Sequence, residues 1–326
     1  MMIRRCVEFL ACAVLAGQPA AWAADAAAGY PARPVRIITG SPGSTSDLAA
    51  RFIAQKLNER WGQPVVVDNR PGAGGIIGVE IAAKSAPDGQ TLVIGHVGTH
   101  ASAPSLFRNL AYDPVRDFAP LSNLVNVGIL LVVHPSVPAA NLKDFIAYTR
   151  SKPGLINYGS PGGGTSGNLT GELVNLLTKA KMQHIPYKGA GFALTGVVAG
   201  ETQASFLATS TAAPQIRAGK VRALAVIRKT RFPAMPEVPS AAEAGFPELD
   251  ANAWFGLFAP ARTPRPVVVK LNQEITRVLG LPEVKELLLK QGAEAAPTSP
   301  EAFGAYVKSE IVKWTKVVKD SGVQTN

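Results

Sequence analysis

Apolar and polar positions along the chain fall into short β-branched runs separated by stretches of helical period. Val35-Arg36-Ile37-Ile38-Thr39 has the composition of a buried strand. From Asp47 onward Leu48, Phe52, Ile53 and Leu57 recur at helical spacing, and Trp61-Gly62-Gln63-Pro64 ends that helix. Val65-Val66-Val67 predicts a second strand, residues 76–85 a helix, and Thr91-Leu92-Val93-Ile94 a third strand after the Pro87-Asp88-Gly89 turn. A second series begins at residues 128–133. It continues with a helix over 142–150, a strand over 156–158, a helix from Asn168, a strand over 183–185, a helix over 192–198, and strands over 204–207 and 223–227. Residues 231–247 predict an irregular crossing, residues 254–258 one more strand, and helices over 266–279, 283–290 and 300–319 close the chain. Such alternation predicts an α/β fold with a mostly parallel sheet. A length of 326 residues suits two lobes.

The beginning of the chain breaks this pattern. Arg4 and Arg5 precede an apolar run over residues 7–15, and Ala21-Trp22-Ala23 precedes Ala24, the arrangement of a secretory signal over residues 1–23 with its cleavage site. The run is far short of the roughly 20 residues that span a bilayer, so the expected product is a released, periplasmic protein. Cys6 and Cys12 both lie inside the signal, which leaves the mature chain without a disulfide. The formal charge is +10, but the basic residues are scattered and do not alternate with aromatics, as a solvated surface requires and a nucleic-acid site does not.

Two strand-to-helix turns carry candidate chemistry. Gly40-Ser41-Pro42-Gly43-Ser44-Thr45-Ser46-Asp47 follows the first strand, and Gly159-Ser160-Pro161-Gly162-Gly163-Gly164-Thr165-Ser166-Gly167-Asn168 lies in the second series. At such places unpaired N–H groups and the positive end of the helix dipole favour an anion, and glycine allows close approach. Gly and Ser also serve ordinary turns and caps, but one such turn in each lobe would set two donor-rich loops across a cleft. A third cluster, Arg70-Pro71-Gly72-Ala73-Gly74-Gly75-Ile76-Ile77-Gly78, has Ile77 where a dinucleotide fingerprint needs glycine, and reads as a tight turn and helix start. No nucleophile elbow, zinc motif or P-loop is present, so no cofactor, metal or catalytic residue is expected. Of His96, His100, His134 and His184, only His100, in Gly98-Thr99-His100, sits where a cleft could use it.

Nearly the whole mature chain resembles the Bug family of extracytoplasmic solute receptors of tripartite tricarboxylate transporters. The resemblance rests on Gly62-Gln63-Pro64-Val65-Val66-Val67, Asn69-Arg70-Pro71-Gly72-Ala73-Gly74-Gly75, Pro186-Tyr187-Lys188-Gly189, Gly219-Lys220-Val221-Arg222-Ala223 and Trp254-Phe255-Gly256, among others. It implies a type II periplasmic binding-protein fold: two Rossmann-like lobes, residues 24–125 plus 250–326 and residues 126–249, with two crossings and a central ligand cleft that closes by hinge motion. It also implies a carboxylate ligand held by amides, hydroxyls and waters. The contacts so implied are Gly43, Ser44, Thr45, Ser46 and Asp47 in the first turn, Ser160, Gly162, Gly163, Gly164, Thr165 and Asn168 in the second, and Thr99, Thr209 and Ser210 elsewhere. Ser44 stands for the second glycine of the family's first turn, Ser46 for its threonine, and Asn168 for a histidine of the second. Where relatives often carry an acid for a ligand ammonium, this chain has Ala208-Thr209-Ser210-Thr211, which favours a simple or aromatic carboxylate over an amino acid. The expected partners are a small organic acid and membrane transporter subunits, with no nucleic acid and a monomeric receptor. The other readings are a secreted α/β hydrolase using Ser160 or Ser44, which needs a histidine and an acid in reach of the serine, and a ligand-sensing partner of a signalling system.

Overall fold

The structure is a computed structural model that describes residues 29–323, so the signal segment with Cys6 and Cys12 lies outside the described residues. Strands β1 (Val35–Thr39), β2 (Val65–Asn69) and β3 (Thr91–His96) form one parallel unit in the order β2-β1-β3. Val35, Ile37 and Ile38 of β1 are fully buried, as a central strand covered on both faces requires. Helix α1 (Thr45–Trp61) turns Ala49, Ala50, Ile53 and Leu57 inward and stops at Gly62, whose φ of 64° suits the left-handed cap. Helix α2 (Ile76–Ala83) follows β2, and the short α3 (Ala103–Leu106) and then α4 (Leu142–Ser151) precede the second unit.

A second parallel unit repeats this plan. Strands β5 (Asn157–Ser160), β6 (Gln183–Pro186) and β7 (Ala204–Ala208) run in the order β6-β5-β7, with helix α5 (Ser166–Thr178) after β5 and α6 (Ala190–Ala199) after β6. Both glycine-rich turns therefore leave the middle strand of a three-strand parallel unit, the switch point at which open α/β sheets bind ligands.

The two units are joined by antiparallel strands, which corrects the expectation of a mostly parallel sheet. Strand β4 (Phe118–Val133) pairs β9 (Asn252–Pro260) as far as Gly128 and then, from Ile129, pairs β7, with β8 (Arg222–Val226) along its other edge. A strand that crosses from one unit to the next enters it against the direction of its neighbours. The predicted strand began only at residue 128. The earlier half of β4 contains Pro120, Ser122 and Asn123, and its register with β9 slips between Pro120 and Ser122 and again between Asn123 and Val125. Those bulges hide the period-2 signal. A further helix over Thr209–Arg217, here α7, was also unpredicted, because Pro214 interrupts its pattern.

The last helix, α10 (Pro300–Ser321), is preceded by α8 (Arg265–Gly280), by α9 (Pro282–Lys290) and by the short strand β10 (Glu294–Ala295). It packs on β4, on the turn after β3 and on α5 of the second unit. Its buried Glu310 accepts hydrogen bonds from Trp254 Nε1 at 3.0 Å and Trp314 Nε1 at 2.9 Å, which fastens it to β9.

Candidate ligand cleft

The first turn is built on a reciprocal cap. Ser44 is the N-cap of α1 and accepts from Asp47 N–H at 3.3 Å, while Asp47 Oδ2 accepts from Gly43 N–H at 2.9 Å. Asp47 also takes Arg51 Nε at 2.9 Å and Asn69 Nδ2 at 2.8 Å, and the same Asn69 nitrogen donates to Gly40 O at 2.9 Å. Burial alone would raise the Asp47 pKa, but the bonds from Arg51, Asn69 and Gly43 outweigh it and hold the carboxyl below its ordinary range. Asp47 is thus a buried anion spent on the turn, not a free group in the cleft.

The second turn has the same plan. Thr165 is the N-cap of α5 and accepts from Asn168 N–H at 3.4 Å, while Asn168 Oδ1 accepts from Gly164 N–H at 2.9 Å. Asn168 Nδ2 donates to Tyr158 Oη at 3.0 Å, and that hydroxyl donates to Glu172 Oε1 at 2.5 Å. Desolvation and the neighbouring Glu172 push the Tyr158 hydroxyl pKa up, so it stays a donor. Gly162 and Gly164 have φ of 135° and 73°. Beneath the turn, buried Ser160 lies 2.6 Å from His184 Nε2, and its hydroxyl also accepts from Gly162 N–H at 3.2 Å. Burial lowers the His184 pKa.

Between these turns lies a cleft of about 980 Å³. Of the sequence-predicted contacts, Ser44, Thr45, Ser46, Gly162, Gly163, Gly164 and Thr165 line it. The first-turn amides of α1 and α5, on Thr45, Ser46, Ser166 and Gly167, are the N–H groups that helix geometry leaves without an internal acceptor. Gly43, Asp47, Ser160 and Asn168 lie outside the lining, since their polar atoms point back to brace the turns. Thr99 is buried and bonds to His96 N–H at 3.1 Å and His100 Nδ1 at 3.0 Å. Thr209 donates to Gly128 O at 2.8 Å where β4 crosses between units, and Ser210 lies against Gly292, so neither borders the cleft.

The third glycine cluster is the expected tight turn and helix start, with α2 opening at Ile76, and it is also a cleft wall: residues 71–76 line it, with Gly72, Ala73, Gly74 and Gly75 all at positive φ. Its small residues leave backbone facing the cavity. His96, rather than His100, reaches the lining. The chain after β3 makes a wide π-type turn over Val97–Ser102 that rotates His100 inward, where it stacks on Phe258 with ring centroids 4.1 Å apart. Its Nε2 is buried without a partner. Burial lowers His96 to a pKa of about 4, against a smaller opposing pull from the Gly74 backbone, and burial plus repulsion from His96 lowers His100 to about 3. The lining also takes in Leu106, Phe107, Tyr187, Lys188 and Phe255. Tyr187, Lys188 and Phe255 had a sequence signal only in the Pro186-Tyr187-Lys188-Gly189 and Trp254-Phe255-Gly256 motifs, and Leu106 and Phe107 had none.

The profile of the tripartite tricarboxylate transporter family receptor, TctC, matches residues 49–323. The chain belongs to this receptor family. Protein BugT of Bordetella pertussis is 36% identical to this TctC-family chain over 301 residues, covering 90% of it and 91% of BugT. Among solved structures, Rpa4515 of R. palustris with adipate superposes with a TM-score of 0.80 at 35% identity, covering 90% of this chain and 99% of that one. MatC (Rpa3494) from Rhodopseudomonas palustris with bound malate superposes with a TM-score of 0.75 at 36% identity, covering 89% and 100%. The receptor has the α/β fold of the Bug and TctC periplasmic binding proteins, two Rossmann-like units flanking a cleft, as its sequence resemblance implied. Among the described residues, no helix is long and apolar enough to cross a membrane.

Proposed function

We propose that this receptor captures a small carboxylate-bearing solute in the periplasm, after removal of residues 1–23, and presents it as a monomer to the membrane subunits of a tripartite tricarboxylate-type transporter. Its two lobes are residues 24–125 plus 250–326 and residues 126–249, and they close on the ligand by hinge motion. The observation that carries this reading is the cleft wall itself. First-turn amides of Thr45, Ser46 and Ser166 that have no helical acceptor belong to its lining together with the hydroxyl-bearing Ser44 and Thr165, and no Asp or Glu lines it among the described residues. That donor set suits a carboxylate and supplies no counter-charge to a ligand ammonium, so simple or aromatic acids are preferred over amino acids. The adipate and malate bound in the two similar structures agree with this choice.

The receptor acts without catalysis. The hydrolase alternative gains a histidine, since His184 is bonded to Ser160, but that serine is fully buried and no carboxylate is bonded to His184 among the described residues. Glu172, on the neighbouring helix, is taken by the Tyr158 hydroxyl. A thermal-shift screen of the mature protein against mono-, di- and tricarboxylates, aromatic acids and amino acids tests the proposal. Ligand at a hundred times its Kd adds about 2.7 kcal/mol to the native state. A rise with acids alone is the expected outcome, and a larger rise with an amino acid than with its deaminated analogue would overturn the ligand class.

A further inference from the structure

Among the described residues that line the cleft, Lys188 carries the only full charge. His96, the other basic side chain there, has its Nδ1 occupied by Gly98 N–H at 3.1 Å. Burial keeps it neutral near pH 7. The guanidiniums of Arg51 and Arg70, on segments that border the cleft, are held by Asp47 and Asp68, each at 2.9 Å. Lys188 is exposed and has no hydrogen-bond or ion-pair partner among the described residues.

Its position is defined by the fold. Lys188 follows the end of β6, where Tyr187 N–H donates to Ser160 O at 3.0 Å, and a Cβ on Gly162 would lie 3.6 Å from Tyr187 O. The lysine therefore leaves the chain directly beside the second turn. Tyr187 turns away, packing its ring under Gly159 and Gly196 and donating to Glu201 Oε2 at 3.2 Å. Gly189, with φ of 130°, then opens α6 without a side-chain cap.

We propose that Lys188 is a specificity-determining residue that makes the cleft select dianionic over monoanionic ligands. One carboxylate is satisfied by the amides and hydroxyls of the two turns. A second carboxylate carried into the cleft loses water and needs a counter-charge, and Lys188 is the group in the lining that supplies one. This inference rests on the receptor reading above.

The test is titration calorimetry of the mature receptor at low salt with succinate, glutarate and adipate, each against the monocarboxylate of the same chain length. In the wild type, at least one dicarboxylate is expected to bind about tenfold more tightly than its monocarboxylate partner. Lys188→Met is expected to lower that dicarboxylate's affinity about tenfold, to leave the monocarboxylate within about twofold, and so to erase the preference, while Lys188→Arg keeps it. Raising the salt should narrow the gap in the wild type and leave it unchanged in Lys188→Met. Equal losses for both ligands in Lys188→Met, or no loss for either, would overturn the assignment. So would a wild type that binds only monocarboxylates, an outcome that leaves the receptor reading intact. A wild type that binds no carboxylate at all removes the receptor reading and this inference together. An unchanged melting temperature of the ligand-free variants separates each outcome from misfolding.

Discussion

In the turn after β1 the glycine N–H is tied to an ionised Asp47, whereas in the turn after β5 the equivalent N–H is tied to a neutral Asn168, four residues on in both cases. The difference follows from what lies beneath. Arg51 and Asn69 surround the first brace and can hold a charge, while Tyr158 and Glu172 lie under the second, where a carboxylate would meet another acid and no cation. Geometry thus sets where the brace stands, and the neighbours set whether it is charged. The comparison extends to the histidines around the cleft: the first unit holds His96 in the lining and His100 behind it, both strongly depressed, and the second holds His184 beneath its turn, lowered by burial.

The largest expected effect is acid sensitivity centred on the first unit. Histidines held neutral by burial bind fewer protons when folded than when unfolded, so their contribution is full above a pH of about 6.5 and is lost as pH falls toward about 4 and 3. Between pH 7 and pH 5 the loss should be roughly 2 to 4 kcal/mol. His100→Phe, which fits the Phe258 stack and removes the orphaned Nε2, should flatten the curve of urea-unfolding stability against pH. A profile unchanged by that substitution would break the contrast between the units.

Next comes the second position of each helix, Ser46 in α1 and Gly167 in α5. A Cβ on Gly167 would lie 2.4 Å from the backbone oxygen of Phe206, so Gly167→Ala must shift α5 off β7 and should cost about 3 kcal/mol. Ser46→Ala removes only its bond to Ser44 and should cost about 1 kcal/mol or less. Paired unfolding curves read both values.

The braces themselves rank third. Asp47→Ala removes the acceptor of Gly43 N–H and one bond each from Arg51 and Asn69, and should cost about 2 to 3 kcal/mol, against about 1 to 2 for Asn168→Ala. Asn168→Asp sharpens the point. Its carboxyl, raised by burial and by Glu172, should destabilise the protein increasingly as pH rises above the ordinary carboxylate range, whereas Asp47→Asn should lose stability chiefly at neutral pH, where the wild-type carboxylate is charged. Effects as small as that of Ser46→Ala belong to the caps. Ser44→Ala and Thr165→Ala should each cost about 1 kcal/mol, since each loses its cap and one further bond, that of Ser44 to Ser46 at 2.9 Å and that of Thr165 to Gly162 O at 2.8 Å.

Most elements were legible because strands and helices leave different periods, and both turns were legible because Gly and Ser cluster where a strand gives way to a helix. The first half of β4 was not, since its bulges and Pro120 break the alternation, and α7 was hidden by Pro214. Within the site, residue type was readable but direction was not. Asp47, Ser160 and Asn168 have the chemistry of ligand contacts, yet their partners lie below the turns. His96 and His100 stand four residues apart, and the width of one turn decides which of them borders the cleft.

By itself the sequence determined the two α/β series, a donor-rich strand-to-helix turn in each and the receptor family, because each is written in local spacing and motif. Only the tertiary structure decided that residues 71–76, Phe255 and Lys188 border the same cavity as those turns, and which polar groups brace the turns instead of facing it. These facts depend on strand order and on the crossing of β4 and β9, which bring together segments distant in the chain, and no local pattern records that proximity.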